Sequence, residues 1–351
     1  MLIQVWSPAN LLLVGEYVVT EEGGLGIAAA VLPELEVRVC SAPEFKAKAY
    51  AAQALFSWQA KEPPPPHAEV VAACLKRAGH EGFPPLHIEI DSSAFYSVGG
   101  NKRGLGSSAA VAAGLSAALY LFDRYLPGNE NGNENENVNE NEAGLLRGVN
   151  EGCFAELPQD ARRAILHNAV SAHRTAQGGG SAYDVTASLY GGLGLFRGGA
   201  LPDWEPLPAE ALPPACIHYG DAPVSSPAAV LGYKGLKAAH PEFVRQHMTR
   251  SNEETQQLAS ALRTHDQDNF RRRLQQMAEL GLELGERVGV PAIIQPPSSG
   301  YGKAVGAGNE LAVIFHDTAC SNSGLPDAAS STTKDQPLHI ASQGVRWCIS
   351  R

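Results

Sequence analysis

Gly104-Leu105-Gly106-Ser107-Ser108-Ala109-Ala110 joins a Gly-rich turn to an Ala- and Leu-rich run, and the run predicts a largely buried helix over residues 107–125. Glycines let a backbone approach an anion closely, and a helix start presents unpaired N–H groups at its positive end. Lys102 and Arg103 place positive charge just before the turn. The stretch therefore predicts a phosphate-binding loop; the alternative is an ordinary turn with a serine N-cap. The chain has no GxxxxGK[ST] motif, which excludes a P-loop nucleotide-binding protein.

The length and composition describe a protein with a substantial core. A chain of 351 residues predicts about two domains, and its 44% hydrophobic content excludes a disordered polyanion. With 37 acidic and 27 basic residues, the net charge is −10. Proteins that bind nucleic acid or membrane surfaces carry a basic footprint, so neither is an expected partner.

The sequence predicts a cytoplasmic protein. No stretch approaches the roughly 20 apolar residues that cross a bilayer. The N-terminal residues 1–8 lack the basic region of a signal peptide and reach a proline almost at once. The six cysteines are scattered without a CxxC pair, which favours reduced thiols over a disulfide framework or a zinc site.

Runs of apolar residues, some of them alternating with polar ones, predict strands early in the chain and helices later, and thus an α+β fold in two domains. Ser251-Asn252-Glu253-Glu254 matches a capping box and predicts the start of a long helical stretch toward Gly285. Residues 129–142, composed almost entirely of Asn and Glu, predict a surface insertion. The predicted strands cover residues 11–14, 27–32, 35–39, 86–90, 310–315 and 345–349.

Three segments together resemble the signatures of the GHMP kinase superfamily. The stretch at residues 104–110 resembles the second signature, and residues 7–17 (Ser-Pro-Ala-Asn-Leu-Leu-Leu-Val-Gly-Glu-Tyr) resemble the first. Gly306-Ala307-Gly308-Asn309 resembles the third. The three occur in the family's order and cover nearly the whole chain. Tyr17 and the segment Ala176-Gln177-Gly178 favour the phosphomevalonate kinases within the superfamily.

The resemblance implies a fold and an activity. The expected fold is a ribosomal protein S5 domain 2-like N-terminal domain (1–199), with ATP binding, followed by a ferredoxin-like C-terminal domain (200–351). The expected activity is ATP- and magnesium-dependent phosphorylation of a small acceptor, with phosphomevalonate as the first candidate. The chain would act as a monomer or homodimer. The alternatives are another kinase of the superfamily, for mevalonate or a sugar, or a ligand-binding protein on a degenerate kinase fold.

The resemblance also implies roles for individual residues. Asp184 is the expected catalytic residue, Asn10 stands at a second catalytic position, and Ser108 is the expected magnesium ligand. The expected nucleotide-binding residues are Lys102, Arg103, Gly104, Leu105, Gly106, Ser107, Ser108 and Ala109. The expected substrate-binding residues are Tyr17, Ser181, Ser225, Gly306, Ala307 and Gly308.

Several positions depart from the family pattern. Asn10 stands where phosphomevalonate and mevalonate kinases usually have lysine, and His173 stands where relatives such as mevalonate kinase have a metal-binding glutamate. We interpret His173 as a packed or solvated residue. The third signature is about two residues short and lacks its carboxylate. The cations expected near an acceptor phosphate, by their proximity to the signatures, are Lys102, Arg103, Arg174, Lys234, Lys237 and Lys303.

Overall fold

The computed structural model describes residues 1–51, 54–59, 61–80, 85–97, 100–125, 155–220, 226–290, 300–306, 308, 310–316 and 335–350. The insertion predicted at residues 129–142, Ser225 and Ala307 lie outside the described residues. The strands are β1 (Leu2–Val14), β2 (Leu25–Ser41), β3 (Lys46–Tyr50), β4 (Ala54–Gln59), β5 (Leu86–Asp91), β6 (Ala155–Glu156), β7 (Leu193–Arg197), β8 (Asp203–Leu207), β9 (Ala215–Tyr219), β10 (Gly300–Val305), β11 (Leu311–His316), β12 (Asp335–Pro337) and β13 (Arg346–Ser350). The described α-helices are α1 (Glu69–Arg77), α2 (Ser107–Tyr125), α3 (Gln159–Gln177), α4 (Tyr183–Tyr190), α5 (Ser226–Ala239), α6 (Pro241–Arg263) and α7 (Gln267–Val288).

The chain forms two compact units, each assembled from separated segments. Unit 1 contains Met1–Ala9, Pro33–Gly191 and Gln343–Arg351, and unit 2 contains Asn10–Leu32 and Gly192–Ser342. The long strands β1 and β2 each contribute residues to both units. The domain boundary expected at residues 199/200 stays a prediction, because compactness alone does not define domains.

Unit 1 combines a mixed sheet with helices α1 to α4. The strands β4, β3, β5 and β2 follow one another, with β3 parallel to β5 and the other pairs antiparallel. β1 pairs with β13, and β13 with β6. The two alternating segments predicted as strands, at residues 35–39 and 86–90, pair with each other, and Val37 lies opposite Ile90. Leu35, Val37, Ile88 and Ile90 are buried, so one face of this sheet lies on the core.

Helix α2 forms the centre of unit 1 and has the bounds that the sequence predicts. Its alanines and leucines are buried nearly all round, and it contacts α1, α3 and α4. Small side chains allow this close approach. At Gly114, for example, an added Cβ would lie 3.1 Å from the Ser7 Cβ.

Unit 2 contains an antiparallel four-stranded sheet in the order β10-β11-β9-β12, together with helices α5 to α7. Helix α7 packs on this sheet, with the Phe270 ring edge-on to Phe315 at 5.3 Å between ring centroids. A second group of strands is formed by β7, β8 and residues 25–29 of β2, and β7 pairs with both of the others. The α+β expectation is confirmed, and β11 and β13 lie within a residue of their predicted positions.

The capping box predicted at Ser251 is wrong. Helix α6 begins ten residues earlier, with Pro241 in its first turn, where proline is tolerated because the first N–H groups have no partner within the helix. The predicted helical stretch is otherwise confirmed as the two helices α6 and α7. Ser251 lies inside α6 and is buried, while Asn252 accepts a hydrogen bond from the Leu25 N–H at 2.8 Å. The four-residue pattern lies inside a helix that begins upstream, so it does not mark the start of that helix.

No helix in the described part of the chain is both long and apolar enough to span a bilayer.

Gly191→Ala tests the close packing at the end of α4. Gly191 has a φ of +79°, and an added Cβ would lie 2.0 Å from the Gly344 backbone nitrogen. We expect its substitution to lower the free energy of unfolding by about 3 kcal/mol, combining backbone strain with a backbone clash. Chemical denaturation measures the change.

Gly178→Ala is the matched control, because Gly178 has a φ of +72° and open space around it. This variant is expected to lose only about 1 kcal/mol. Equal losses in the two variants would refute the packing constraint at Gly191.

Candidate functional site

The Gly-rich loop before α2 contains two glycines in the left-handed backbone region. Gly104 and Gly106 have φ values of +70° and +71°, a region that glycine adopts without strain. Leu105 is buried and fixes the loop to the core. The N–H groups of Ala109 and Ala110 both donate to the Gly106 carbonyl at 3.1 Å, so the helix starts directly from the loop.

The two basic residues before the loop differ in their surroundings. Lys102 is exposed. The Arg103 guanidinium is partly buried and its Nε donates to the Tyr96 carbonyl at 3.3 Å. Lys102 is therefore the more accessible cation beside the positive end of α2.

A buried imidazole joins Ser108 and Asp184. The Ser108 Oγ lies 3.2 Å from the His173 Nε2, and the Asp184 Oδ2 lies 3.9 Å from the same nitrogen. In a hydrolase triad, the serine and the aspartate use different nitrogens of the histidine. The arrangement here is instead a cluster around one nitrogen atom. We refer to Ser108, His173 and Asp184 as the imidazole cluster.

Three helices of unit 1 position the imidazole cluster: Ser108 lies in the first turn of α2, His173 near the end of α3, and Asp184 in the first turn of α4. Asp184 Oδ1 accepts from the Val185 N–H at 2.9 Å. A carboxylate in the first turn of a helix is favoured by the helix dipole. The carboxylate is thus held at the helix start, with Oδ2 toward the histidine.

Arg174 braces the segment that leads into α4. Its guanidinium donates to the carbonyls of Gly180 at 3.0 Å and Ser181 at 3.2 Å. Ser181, an expected substrate contact, is itself 8% exposed. Arg174 therefore acts on the backbone beside Asp184, a role that the sequence analysis did not assign to it.

Unit 2 contains a cavity of about 340 Å³ beside the buried Lys303. The Lys303 ammonium donates to the carbonyls of Leu13 at 3.0 Å and Ala304 at 2.7 Å, and to the Glu16 carboxylate. An ammonium has three donors, so all three are used. Lys303 was expected as a cation for an acceptor phosphate, but its three donors are all used within the protein.

Tyr17 also lines this cavity and is held in an unusual backbone conformation, with a φ of +62°. Its ring stacks on Tyr233 at 5.5 Å between centroids. Burial, with a smaller contribution from Glu16, raises the pKa of Tyr17 to about 12, so its phenol is protonated at neutral pH. A non-glycine residue with positive φ is uncommon and is often found at functional positions.

Helix α6 presents two buried polar residues to the same cavity, His247 and Ser251. Burial lowers the pKa of His247 to about 4, so this imidazole is neutral at physiological pH. Neither was expected from the sequence to line a cavity. Their spacing of four places them on one helix face, but only the packing of α6 shows which face is buried.

The expected site residues fall into two groups. Unit 1 holds the loop at residues 102–109 with Ser181 and Asp184, and unit 2 holds Asn10, Tyr17, Gly306 and Gly308. Tyr17, Gly306 and Gly308 all line the cavity, whereas Asn10 is buried at 2% exposure.

Of the other expected cations, Lys234 is exposed and Lys237 pairs with Glu21. Ser225 and Ala307 cannot be placed, since they lie outside the described residues.

His173 is packed, one of the two surroundings expected for it, and is 6% exposed. It also contacts both Ser108 and Asp184, two contacts that were not expected from the sequence. Its spacing of eleven residues from Asp184 was the only signal. Among the described residues, no group of three or more His, Cys, Asp and Glu side chains forms a metal cluster.

The comparisons with known proteins establish the fold. No family model matches the chain, and no curated protein sequence matches it. A Lin0012 protein from Listeria innocua superposes with a TM-score of 0.73 at 19% identity, over 100% of both chains. The phosphomevalonate kinase of Streptococcus pneumoniae, solved with phosphomevalonate and AMPPNP, gives 0.63 at 13% identity, over 90% of this chain and 92% of that one. The mevalonate kinase of L. major, solved with R-mevalonate, gives 0.56 at 16% identity, over 97% and 96%. The chain has the fold of the GHMP kinases, as the sequence predicted.

Lys303→Met tests the buried ion pair of unit 2. Without the ammonium, Glu16 stays buried with no cation beside it, so we expect a loss of about 3–5 kcal/mol in the free energy of unfolding at pH 7.5. Burial already raises the pKa of Glu16 against the opposing effect of Lys303. Losing Lys303 raises that pKa further, and protonation then relieves the penalty. The loss should therefore be smaller at pH 5 than at pH 7.5.

Lys237→Met supplies the control, because Lys237 forms an exposed ion pair with Glu21. An exposed pair contributes at most about 1 kcal/mol, so this variant should be nearly as stable as the parent. The double variant Glu16→Gln/Lys303→Met should recover part of the loss. A Lys303→Met protein with unchanged stability would contradict the assignment.

Proposed function

We propose that the chain is an ATP-dependent kinase of a small molecule, of the GHMP type. One observation supports this most directly: Ser108 in the Gly-rich loop and Asp184, predicted as the catalytic residue, contact the same imidazole nitrogen. Ser108 and Asp184, 76 positions apart in the sequence and expected as magnesium ligand and catalytic residue, thus lie in one cluster. Phosphoryl transfer needs this juxtaposition, because catalysis depends on positioning and charge neutralisation.

The loop at residues 104–109 would bind the nucleotide phosphates. Its positive-φ glycines leave the backbone open to an anion, and α2 directs the positive end of its dipole there. The exposed Lys102 adds charge in a protein that is otherwise acidic. ATP is the expected nucleotide.

A divalent cation accompanies ATP in this chemistry and would neutralise charge on the transferred phosphoryl group. The Ser108 hydroxyl and the Asp184 carboxylate are oxygen donors of the kind that Mg²⁺ accepts. The residues present thus fit a cation that also keeps water and phosphate ligands. Ser108 remains the expected ligand, with Asp184 beside it.

Asp184 would orient the acceptor group, or accept its proton. Its Oδ1 is occupied by the Val185 N–H, which leaves Oδ2 for this role. The side chain is 22% exposed, so solvent and ligands reach it. An acceptor phosphate is mostly ionised at neutral pH, and orientation then matters more than proton removal.

Phosphomevalonate is the first candidate acceptor, giving mevalonate diphosphate and ADP in isoprenoid synthesis. Tyr17 and Ala176-Gln177-Gly178 support it, as does the resemblance of the fold to a phosphomevalonate kinase. Tyr17 lies at the cavity together with Gly306 and Gly308, two further residues expected to contact the substrate. A cytoplasmic location is part of this proposal.

A hydroxyl group, as in mevalonate or a sugar, is the second candidate acceptor, and the surroundings of Lys303 favour it over a phosphate. That ammonium is saturated by the protein, and His247 is neutral near pH 7. Among the described residues lining the cavity, no other lysine or arginine occurs. A phosphate held in this cavity would have to draw its cations from elsewhere.

The acceptor is tested by measuring ADP release with ATP and a divalent cation, offering phosphomevalonate, mevalonate, mevalonate diphosphate and galactose in parallel. Turnover with phosphomevalonate alone would support the first candidate. Turnover with mevalonate or galactose would favour a hydroxyl group over a phosphate as the acceptor. Nucleotide binding without turnover on any of the four would point to a ligand-binding protein on a degenerate kinase fold.

Asp184→Asn tests the catalytic assignment. We expect kcat to fall by about 10²–10⁴-fold, the usual contribution of a positioned acid or base, with little change in nucleotide affinity. Asp160→Asn is the matched control, since Asp160 also lies in the first turn of a helix but is exposed on α3. Steady-state kinetics of both variants decide the matter. Full activity in Asp184→Asn would refute the assignment.

A further inference from the structure

The imidazole cluster offers a mixed set of donors. Ser108 supplies a hydroxyl oxygen, Asp184 a carboxylate oxygen and His173 an imidazole nitrogen. Carboxylate, hydroxyl and water oxygens suit Mg²⁺, whereas imidazole suits first-row transition metals. The nitrogen at the middle of this cluster therefore gives it a different metal preference from an all-oxygen site.

The distances are compatible with one shared ion. Two ligands about 2.1 Å from the same ion lie about 3.0 Å apart at a right angle and about 4.2 Å apart when opposite. Nε2 lies 3.2 Å from the Ser108 Oγ and 3.9 Å from the Asp184 Oδ2, which falls inside this range. An ion could enter with small movements of the side chains.

The cluster is also reachable and well supported. The His173 side chain is 8% exposed and the Asp184 side chain 22% exposed, so an ion can approach from the aspartate side. Helix α3 contacts both α2 and α4, which fixes the imidazole between its two neighbours. Ligands held on helices reach a metal with little loss of conformational freedom.

The surrounding helix ends favour negative charge beside the cation. Ser108 and Asp184 both lie in the first turns of their helices, where the dipoles favour negative charge. A metal bound together with nucleotide phosphates would bring negative charge to both helix ends. We propose that the imidazole cluster binds a divalent transition-metal ion in preference to Mg²⁺, with the Nε2 of His173 as a direct ligand. This inference rests on the proposed nucleotide binding and specifies the cation that accompanies the nucleotide.

Pulsed electron paramagnetic resonance of Mn²⁺ and ADP bound to the protein tests the nitrogen ligand directly. We expect nuclear modulation from a coordinated nitrogen, which should shift from ¹⁴N to ¹⁵N frequencies when the protein is made with ¹⁵N-histidine. This comparison needs no substitution, and it separates histidine nitrogen from the adenine nitrogens of ADP. Bound Mn²⁺ whose spectrum does not respond to the labelled histidine would overturn the proposal.

Variants then assign the signal to a residue. His173→Gln should lose the histidine modulation and bind Mn²⁺ and Co²⁺ at least about tenfold more weakly in the presence of ADP, with a smaller change for Mg²⁺. His167→Gln is the matched control, because His167 lies on the same helix α3 but is exposed. It should keep the signal and the affinities. An equal loss of affinity for all three metals in His173→Gln would indicate a merely structural histidine and overturn the proposal.

The proposed kinase function and the proposed metal preference can be refuted separately. If neither ADP nor ATP binds with any of the three cations, the proposed kinase function fails, and this inference with it. If nucleotide binds together with Mg²⁺ at least as tightly as with Mn²⁺ or Co²⁺, and the labelled histidine gives no signal, only the metal preference fails. Far-ultraviolet circular dichroism of His173→Gln confirms that the variant is folded.

Discussion

The close packing of α2 against α3 and α4 is the constraint on which the arrangement of unit 1 depends. Helix α2 is buried nearly all round, and its small side chains let its neighbours approach. That approach brings the start of α2, the end of α3 and the start of α4 within reach of a single imidazole nitrogen. Larger residues in α2 would push these helix ends apart. The composition of the helix and the chemistry of the cluster are therefore linked.

Much of this arrangement can be predicted from sequence because its signals are local. Positive-φ glycines, an apolar helix run and alternating strand residues act through neighbours in the chain, and the helix at residues 107–125 and strands β2 and β5 are confirmed. The capping box predicted at Ser251 is wrong because a local pattern does not by itself fix where a helix starts. Its pattern is local, but the start of the helix is set by Pro241, upstream of the pattern. Local chemistry describes what a segment can do, and longer-range packing decides whether it does so.

The surroundings of His173 and Lys303 could not be predicted from sequence. Both roles arise from contacts across long stretches of chain: Lys303 meets Glu16 and the Leu13 carbonyl some 290 residues away. A lysine near a Gly-rich signature suggests a free cation for phosphate. Only its three bonded acceptors reveal that its charge is used to hold the end of β1 and the residue before Tyr17.

These two residues act on different parts of the proposed reaction. In unit 1, an imidazole at the centre of the cluster would change which cation accompanies the proposed nucleotide, because nitrogen and oxygen donors prefer different metals. In unit 2, the Lys303 ammonium in the cavity is paired with Glu16, and His247 is neutral near pH 7. These surroundings would suit hydroxyl groups of an acceptor better than phosphates. In the proposed reaction, metal preference and acceptor class would thus be set in separate units by separate side chains. One can change while the fold and the Gly-rich loop stay the same, which is how a single architecture accommodates different substrates.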